Sequence, residues 1–565
     1  MREGSIVSRY QKLIWALSAT PFLLAAGLLG QPKLPHFADS ASAGYVGNAA
    51  CARCHSAIVE SYRQTPMARA SGPAQEDLIS GDFTHKKSGV RYRIYNEKAG
   101  VWLSFERQGA NSLSGKRELL LYIGSGRRGR SYLFSVDGFL FESPVNWYAD
   151  QHLWDMTPAY QGVTEMPLNL PANASCLQCH VSGMQPPLKG TENRYADPMF
   201  SYNGVTCERC HGPGGNHVRG GAIINPSRLA PARRDSICME CHLEGNVAVE
   251  RAGKHAYDFH PGDLLSDYVR HYVLAGTQQE SLGAVTQVEA LSRSQCKIKS
   301  GDAMACTSCH NPHVSPPKNE RVSYYRGKCL KCHDDSFGAK HHAEQPDCTQ
   351  CHMPASLSAD IAHTQVTDHR IPRRPWTQPS SVSSDSDWKK TSSRLVLFPD
   401  SGDAGSDTRE LALAWAFLEQ TGARDGKSEA QPLLRTALSQ SPNDPILLST
   451  LGYIEQKHGK VDVALELYQK ALALDPDLVD AAANLAVIEA NQGRLREPIR
   501  LWQSVFDRAP ARSAIGMNIA KVLCGAGEFA RARSSVIRVL AFNPDMAAAR
   551  HLLQNLDRRP PVCEL

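Results

Sequence analysis

The chain has 565 residues, of which 42% are hydrophobic and 21% are charged, a balance that excludes a wholly disordered protein. Its 62 Lys and Arg residues against 57 Asp and Glu give a net charge of +5, too weak a bias to indicate a nucleic-acid partner. One apolar run approaches membrane-spanning length, which excludes a polytopic membrane protein. The unusual feature is the number of cysteines, 17.

The N-terminus predicts an export segment. A basic start precedes an apolar run at 13–29, and the triplet Ala-Ser-Ala at 41–43 resembles a cleavage site. The run contains a proline and is short for a spanning helix, but it lies farther from the triplet than is usual. Residues 1–43 are therefore predicted to be either a cleaved signal peptide or an N-terminal membrane anchor. Both predict a periplasmic or otherwise exported protein, in the second case anchored to the cytoplasmic membrane.

Seven copies of the pentapeptide C-x-x-C-H run along the chain, numbered here as motifs one to seven. The cysteines of these motifs are Cys51, Cys54, Cys176, Cys179, Cys207, Cys210, Cys238, Cys241, Cys306, Cys309, Cys329, Cys332, Cys348 and Cys351. The histidines are His55, His180, His211, His242, His310, His333 and His352. The three other cysteines, Cys296, Cys524 and Cys563, are predicted to be unpaired and are given no role.

Paired cysteines occur in three kinds of site, and the histidine distinguishes them. A disulfide framework needs no histidine after the second cysteine, and a zinc site must be completed by a second pair of ligands. Covalent attachment of c-type haem requires this pattern, because the two thiols bond to the vinyl groups and the adjacent histidine binds the iron. We therefore predict seven covalently bound haem c cofactors. Bacterial haem c is attached outside the cytoplasmic membrane, in agreement with the export segment.

The motifs define a predicted seven-haem domain at 44–370. Between about 80 and 170, hydrophobic and polar residues alternate in short runs such as Val90-Arg-Tyr-Arg-Ile-Tyr95, which predicts antiparallel strands. Long apolar helices are few elsewhere in this domain, so we expect the haems themselves to form much of its core. Residues 371–408 are rich in Ser, Pro and Asp and predict a linker.

Residues 409–558 carry an internal repeat of 34 residues, typical of tetratricopeptide repeats. Prolines recur at 442, 476, 510 and 544, and glycines at 459, 493 and 527. Four repeats fit, at 411–444, 445–478, 479–512 and 513–546, followed by a last helix; the alternative is an unspecialised helical bundle. Such a solenoid is a binding surface rather than a catalyst. The predicted fold class is mainly α: a haem-packed multihaem cytochrome c domain with a small antiparallel β segment, followed by an α-solenoid.

Five segments carry further motifs: Tyr45-Val-Gly-Asn-Ala-Ala-Cys51, Gln64-Thr-Pro-Met67-Ala, Cys207-Glu-Arg-Cys-His-Gly-Pro-Gly, Cys306-Thr-Ser-Cys-His-Asn-Pro-His313 and Thr367-Asp-His369-Arg-Ile. With them, the region from about 45 to 374 resembles the cytochrome c-554-like multihaem family, in its branch with a tetratricopeptide tail. The resemblance implies a periplasmic electron carrier, or a partner of haem oxidoreductases that act on small nitrogen or sulfur compounds.

The second axial ligand of each haem distinguishes a carrier from an enzyme. A haem with ligands on both faces can only pass electrons, whereas a haem with an open face can bind a substrate. The second ligands that the resemblance implies are His217, His313, His363 and His369. Further candidates are His85, one of His341 and His342, and Met67, a thioether where relatives commonly have a histidine. His152, His255, His260 and His271 are expected to be ordinary residues.

One departure from the family pattern leaves an enzyme as the alternative. Relatives carry a histidine before the segment Val288-Glu-Ala-Leu291, where this chain has Gln287. If that histidine is an axial ligand, one haem of this chain has an open face. We predict an exported carrier that passes electrons along seven haems between redox partner proteins, with the repeats for docking. The alternative is an oxidoreductase acting on a small nitrogen or sulfur compound at one open haem, although no catalytic constellation is visible.

Overall fold

The computed structural model describes residues 44–564 except 99, 110, 276–281, 335, 338–340, 342–344, 374–393, 400–406 and 423–428. The predicted export segment, His342 and most of the predicted linker lie outside the described residues. Within these ranges, no helix combines the length and the apolar character needed to cross a membrane.

Two antiparallel sheets occupy the segment for which the sequence predicts strands. The first contains, in order, β2 (Gly81–Thr84), β3 (Arg91–Glu97), β4 (Gly100–Arg107) and β5 (Leu113–Leu119). The second contains β1 (Ser71–Pro73), β6 (Leu121–Ile123), β7 (Gly129–Val136), β8 (Phe139–Glu142), β9 (Val145–Tyr148), β10 (Leu153–Met156) and β11 (Leu170–Pro171). In β3, Tyr92 and Ile94 are buried while Arg91 and Arg93 are exposed, as strand alternation requires. The predicted β segment is confirmed.

The two sheets share an ordinary apolar core. Val101, Phe105, Phe134 and Phe141 are all buried within one cluster that joins both sheets. Full burial of such a side chain stabilises a fold by about 1.5–3 kcal/mol. This part of the chain therefore holds together through its own side chains.

The haem motifs lie in short helices or at helix ends. These helices are α1 (Gly47–Arg63), α2 (Ala174–Leu177), α3 (Glu208–His211), α4 (Pro231–His242), α7 (Cys306–Cys309), α8 (Arg321–Cys329) and α9 (Cys348–His352). Between motifs four and five lie α5 (Gln287–Ser292) and α6 (Gln295–Ser300). Two small hairpins accompany them, β12 (Val181–Met184) with β13 (Phe200–Asn203) and β16 (Ala355–Leu357) with β17 (Gln365–Thr367). A helical turn brings residues three apart to one face, where both cysteines of a motif can meet one cofactor.

A third sheet reaches into the predicted linker. Its strands β14 (Val247–Glu250), β15 (Val269–Leu274) and β18 (Leu395–Phe398) pair antiparallel in that order. The apolar run Leu-Val-Leu-Phe of β18 completes the free edge of β15, so this part of the linker is structured. Composition indicated a linker because polar residues surround this short run.

The C-terminal part is a succession of helix pairs that follow the predicted repeats. The pairs are α10 (Thr408–Gln420) with α11 (Ala430–Gln440), α12 (Pro445–Lys457) with α13 (Val461–Leu474), α14 (Val479–Asn491) with α15 (Arg496–Arg508), and α16 (Ser513–Gly525) with α17 (Phe529–Leu540). The last helix is α18 (Ala547–Leu556). Within the second pair, a Cβ at Gly452 would lie 2.9 Å from the Tyr468 ring, which explains why glycine stands there. The predicted α-solenoid is confirmed.

Candidate haem site

A continuous cavity of about 4120 Å³ runs through the part of the chain that carries the motifs. Every motif histidine and every motif cysteine except Cys176 lies in its wall. Between Cys306 and His363, a stretch with three motifs, no described residue is buried. Protein interiors are normally close-packed, so a cavity of this size in place of a side-chain core fits a protein whose core consists of cofactors.

Pairs of histidine rings face each other in this cavity at a distance that accommodates an iron atom. Two metal–nitrogen bonds of about 2.0 Å place the centres of two coaxial imidazole rings about 6.2 Å apart. The rings of His55 and His217 are 6.5 Å apart and 11° from parallel. Those of His211 and His313 are 6.1 Å apart and 12° from parallel. Both pairs have the geometry of a six-coordinate haem iron with two histidine ligands.

Motifs five and seven show the same arrangement. The rings of His310 and His369 are 6.2 Å apart and 29° from parallel, and those of His341 and His352 are 6.1 Å apart at the same angle. Four predicted second ligands thus lie opposite motif histidines. In the order of motifs one, three, five and seven they are His217, His313, His369 and His341. Of the alternatives His341 and His342, it is His341 that is described opposite motif seven; His342 lies outside the described residues.

Hydrogen bonds at Nδ1 orient several of these rings. In the motif histidines, the bonds join His180 to the Ala70 carbonyl at 3.1 Å, His211 to the Ile224 carbonyl at 2.8 Å, and His352 to the Pro372 carbonyl at 2.8 Å. Among the opposite histidines, they join His217 to the Gly221 carbonyl at 3.0 Å and His369 to the Thr367 carbonyl at 2.9 Å. A ring that donates from Nδ1 keeps the lone pair of Nε2, the nitrogen that can bind a metal.

For four histidines in the cavity wall, burial lowers the pKa and so favours the neutral imidazole that binds a metal. Burial lowers the pKa of His310 to about 4. It also lowers the pKa of His180, His313 and His369. These four rings are thus unprotonated at neutral pH, as axial ligands must be.

The variable residues of motif three hold motif one in place. Both carboxylate oxygens of Glu208 accept hydrogen bonds from the start of α1, from the Val46 and Gly47 amides at 2.8 Å. The same carboxylate accepts a bond from the Gly214 amide at 2.8 Å. Because α1 carries motif one, Glu208 fixes the position of motif one relative to motif three.

Arg209 in motif three likewise connects motifs two and four. Its guanidinium donates to the Gln178 carbonyl of motif two at 2.8 Å and forms an ion pair with Glu240 of motif four. Both side chains of the ion pair are almost fully buried, at 10% and 3% exposure. Arg209 therefore joins three motifs at one buried point.

Thiols of different motifs also approach each other. Four pairs of thiols from different motifs lie close enough to influence each other's pKa: Cys51 with Cys207, Cys179 with Cys241, Cys238 with Cys306, and Cys329 with Cys348. Each thiol marks the edge of one predicted cofactor, so motifs one and three, two and four, four and five, and six and seven have adjacent attachment edges.

Two predicted ligands lie away from the cavity. His85 is buried in the β segment, where its Nδ1 contacts the Ser88 hydroxyl at 2.9 Å. His363 contacts the Gln151 amide oxygen through Nδ1 at 3.0 Å and the Asp155 carboxylate through Nε2 at 2.8 Å. Neither ring lines the cavity, and both nitrogens of His363 have protein partners. Both histidines contact residues of the β segment, which carries no haem motif. The sequence alone did not show these contacts.

Two other side chains do line the cavity. Met67, the predicted thioether ligand, lies in its wall beside Pro66. His271, which the sequence analysis treated as ordinary, lies in β15 with 9% exposure and also faces the cavity. Burial lowers the pKa of His271 to about 4, so it is neutral and able to bind a metal. Its sequence neighbours, Arg270 and Tyr272, gave no sign of this position.

The alternatives of zinc and disulfides fit the motif residues less well. All fourteen motif cysteines are free thiols in the structure. In the described part of the chain, no group of three or more His, Cys, Asp or Glu side chains is arranged to hold a metal ion. A structural zinc site needs four such ligands around one point. The paired rings and the large cavity fit haem instead.

The prediction that Cys524 and Cys563 are unpaired is wrong, because a disulfide joins them. The C-terminal tail folds back onto α18, where the Val562 amide donates to the Asn555 carbonyl at 3.0 Å. This return brings Cys563 to the buried Cys524 of α16. The third cysteine, Cys296, lines the haem cavity as a free thiol.

The first repeat helix is tied to the haem region by a buried carboxylate. Asp407, at the start of α10, accepts hydrogen bonds from Arg251 and from Arg270, both at 3.0 Å. Next to it, Val247 and Tyr272 pack in one apolar cluster with Trp415 of α10. Trp415 also lies in the wall of the haem cavity.

A second buried carboxylate ties the far end of the solenoid to the β segment. Asp545 is 2% exposed and pairs with Arg107 and Arg550, and it accepts a bond from the Met166 amide at 2.7 Å. Phe542, just before it, belongs to the apolar core of the β segment. The repeats are therefore packed against the rest of the chain at both ends.

Three family models match parts of this chain. Residues 147–212 match "Cytochrome c554 and c-prime", residues 298–338 match "Doubled CXXCH motif", and residues 445–478 match "Tetratricopeptide repeat". Together with the site, these matches define a multihaem c-type cytochrome that carries tetratricopeptide repeats. The resemblance to the cytochrome c-554-like family is confirmed for residues 147–212, which contain motifs two and three.

Among characterised proteins, the chain is similar to the multiheme cytochrome MtrA of Shewanella baltica (strain OS185), with 26% identity over 29% of this chain and 54% of that protein. The chain thus spans about half the length of that relative. It is also similar to the protein CTR9 homolog of Arabidopsis thaliana, with 26% identity over 26% of this chain and 14% of that protein. The solved structure of MamA matches 24% of this chain at 16% identity, with a TM-score of 0.21.

Proposed function

We propose that this protein is an exported multihaem cytochrome that passes electrons along seven covalently bound haems between redox partner proteins. The observation that carries this proposal is the set of four near-parallel histidine pairs at 6.1–6.5 Å in one continuous cavity. Iron held by two histidines has no open face, so such a site transfers electrons without binding a substrate.

Each group of residues has a distinct role in this proposal. The paired cysteines of motifs one to seven hold haem through thioether bonds, and the histidine of each motif is the first axial ligand. His217, His313, His369 and His341 are the second ligands for motifs one, three, five and seven. Met67 and His271 line the cavity and are our candidates for second ligands at two of the three remaining motifs. When bound, haem supplies reversible one-electron chemistry, whose potential depends on axial ligands, burial and hydrogen bonds.

The protein organises these sites into a path. The Arg209–Glu240 ion pair and the Glu208 hydrogen bonds to the start of α1 hold neighbouring motifs together, so that electrons can move between adjacent sites. Haem seated in the cavity would be shielded from water by its wall, which limits the reorganisation that accompanies a change of charge. Neither the arrangement nor the chemistry requires a proton donor or a nucleophile.

Export and docking complete the proposal. The basic and apolar N-terminal pattern and the Cys524–Cys563 disulfide both suit an oxidising compartment outside the cytoplasm. Tetratricopeptide repeats present extended surfaces for protein partners. Trp415 of the first repeat lines the haem cavity, which supports docking of a redox partner close to a haem.

The test is a measurement of haem content and spin state on the exported full-length protein. Pyridine haemochrome absorbance with protein quantification should give seven haems per chain, and mass spectrometry should show their covalent attachment. Electron paramagnetic resonance should show that the majority of the ferric haems are low-spin. A colourless protein, or one with only high-spin haem, would contradict the proposal.

An oxidoreductase remains the second candidate function. In the described part of the chain, no second histidine ring faces His180, His242 or His333 in the manner of the four pairs. An iron with an open face at one of these motifs could bind a small nitrogen or sulfur compound. Binding of cyanide or nitric oxide by a high-spin haem would support this function, and their failure to bind would exclude it.

A further inference from the structure

The residue at the family's histidine position lies against the first ligand of motif four. The amide oxygen Oε1 of Gln287 is 3.2 Å from Nδ1 of His242. The amide nitrogen Nε2 of Gln287 donates to the Ala284 carbonyl at 2.8 Å, which fixes the amide so that its oxygen faces the histidine. Both Gln287 and His242 line the haem cavity.

The contact between Gln287 and His242 does not have the geometry of two axial ligands of one iron, because it involves Nδ1 of the histidine and is too short. Two ligands of one iron are separated by about 4 Å, twice a metal–nitrogen bond, and haem c is held through the Nε2 of its motif histidine. Gln287 instead accepts a hydrogen bond at Nδ1, on the side of the ring away from the metal. The structure thus gives no support to the idea that Gln287 marks a lost second ligand.

The partner of His242 also differs in kind from those of the other motif histidines with a defined Nδ1 contact. His180, His211 and His352 all donate to backbone carbonyls, whose chemistry a side-chain substitution leaves unchanged. At motif four the acceptor is a side chain, so its strength depends on the residue at 287. A stronger acceptor at Nδ1 makes the imidazole more basic, and a more basic ligand stabilises ferric over ferrous iron.

We propose that Gln287 is a positioning residue for the haem of motif four, which orients His242 and sets the reduction potential of that haem. The proposal rests on haem attachment at motif four, as described under the proposed function. A substitution at Gln287 can therefore change the potential of the motif-four haem, while His180, His211 and His352 keep their backbone acceptors.

Three variants of Gln287 test this role by redox titration followed in the visible spectrum. Gln287→Glu places a carboxylate at Nδ1 and should lower the midpoint potential of one haem. Gln287→Leu removes the acceptor and should raise the potential of the same haem. Gln287→Asn keeps the amide but shortens the reach, and should behave like Gln287→Leu. In His242→Met the spectrum of the same haem should change, which identifies it as the haem of motif four.

Gln295 provides the matched control, because it lines the same cavity from the next helix and is exposed. Gln295→Glu adds the same charge without a bond to His242 and should leave that potential close to the wild-type value. Equal shifts in Gln287→Glu and Gln295→Glu, or unchanged potentials in all three Gln287 variants, would overturn the proposal.

Two measurements separate this proposal from the one on which it rests. Haem content in every variant shows whether motif four is occupied; a missing haem in the wild-type protein would count against the proposed function itself. Gln287→His tests the alternative that position 287 belongs to an axial ligand. Conversion of a high-spin haem to low-spin in Gln287→His would overturn the positioning role, whereas an unchanged spin state supports it.

Discussion

The haem region and the repeats achieve their cores by different means. From α10 to α18, each helix buries aliphatic and aromatic side chains such as Trp502, Phe506 and Leu552 against its neighbours. Between Cys306 and His363, no described side chain is buried, and the residues surround the haem cavity instead. The repeats therefore have a side-chain core that can stabilise their fold, whereas we expect the haem region to depend on bound cofactors.

The β segment belongs with the repeats in this comparison, although it lies within the haem region of the chain. It has its own apolar core, and Phe542 from the end of the solenoid is part of that core. The repeats are thus a structural support for the haem region as well as a docking surface. Removal of the whole solenoid would expose this core, so point substitutions are the better probe of docking.

The largest effect is expected when haem attachment is prevented. Protein produced without the cytochrome c maturation machinery should lack the visible haem spectrum, and residues 306–363 should become sensitive to protease because no described side chain there is buried. The repeats should retain their helical circular dichroism and resist the same protease. Equal resistance of both regions in the haem-free protein would break the comparison.

The junction between the regions should depend strongly on Asp545. Asp545→Ala leaves Arg107 partly buried without its partner, and loss of one member of a buried ion pair typically costs about 3–5 kcal/mol. Urea or thermal unfolding of the full-length protein measures this loss. Asp557→Ala is the control, because Asp557 pairs with Arg533 at the surface of the same end of the solenoid. A loss in Asp557→Ala as large as that in Asp545→Ala would refute a special role for the junction.

The sequence was most informative where a short pattern determines the chemistry or the packing. The spacing within C-x-x-C-H is a local requirement of covalent haem attachment, so the motif residues could be identified without a structure. The repeat of 34 residues reflects the length of one helix pair, and the structure has helix pairs at those positions. Strand alternation in the β segment is equally local, as Tyr92 and Ile94 show.

The pairing of ligands could not be read in this way, because it joins residues that are distant in the sequence. His217 faces His55, and His369 faces His310, only because the chain between them folds around the cavity. His363 follows a haem motif closely, yet it turns toward Asp155 of the β segment. His271 looks like an ordinary strand residue until the cavity behind β15 is seen.

A pH titration sharpens the comparison within the side-chain-packed regions. Burial raises the pKa of Glu142 in β8 to about 7, above its ordinary value of 4.5. The folded state therefore binds this proton more tightly than the unfolded state, and its stabilising effect is lost as the pH rises from 4.5 to 7. Glu142→Gln should remove that slope and raise the unfolding free energy at pH 8 by on the order of 1–3 kcal/mol. Glu76→Gln, at an exposed position, should keep the wild-type slope; a flat wild-type profile would contradict the prediction.

The smallest effect is expected at Met67, a residue in the wall of the haem cavity. The backbone carbonyl of Met67 accepts bonds from the Val205 amide at 3.0 Å and the Ala70 amide at 3.1 Å, so the residue is anchored beside motif three while its side chain lines the cavity. If Met67 is an axial ligand, the ferric protein should show the weak long-wavelength absorption band of thioether ligation, and Met67→Leu should abolish it. Met239→Leu, in the same cavity wall, should leave the band unchanged.

Since a thioether raises the potential of its haem, Met67→His should instead lower one midpoint potential with haem content preserved. Absence of the band from the wild-type protein would leave Met67 as a packing residue, and His271 would then be our single candidate second ligand for motifs two, four and six.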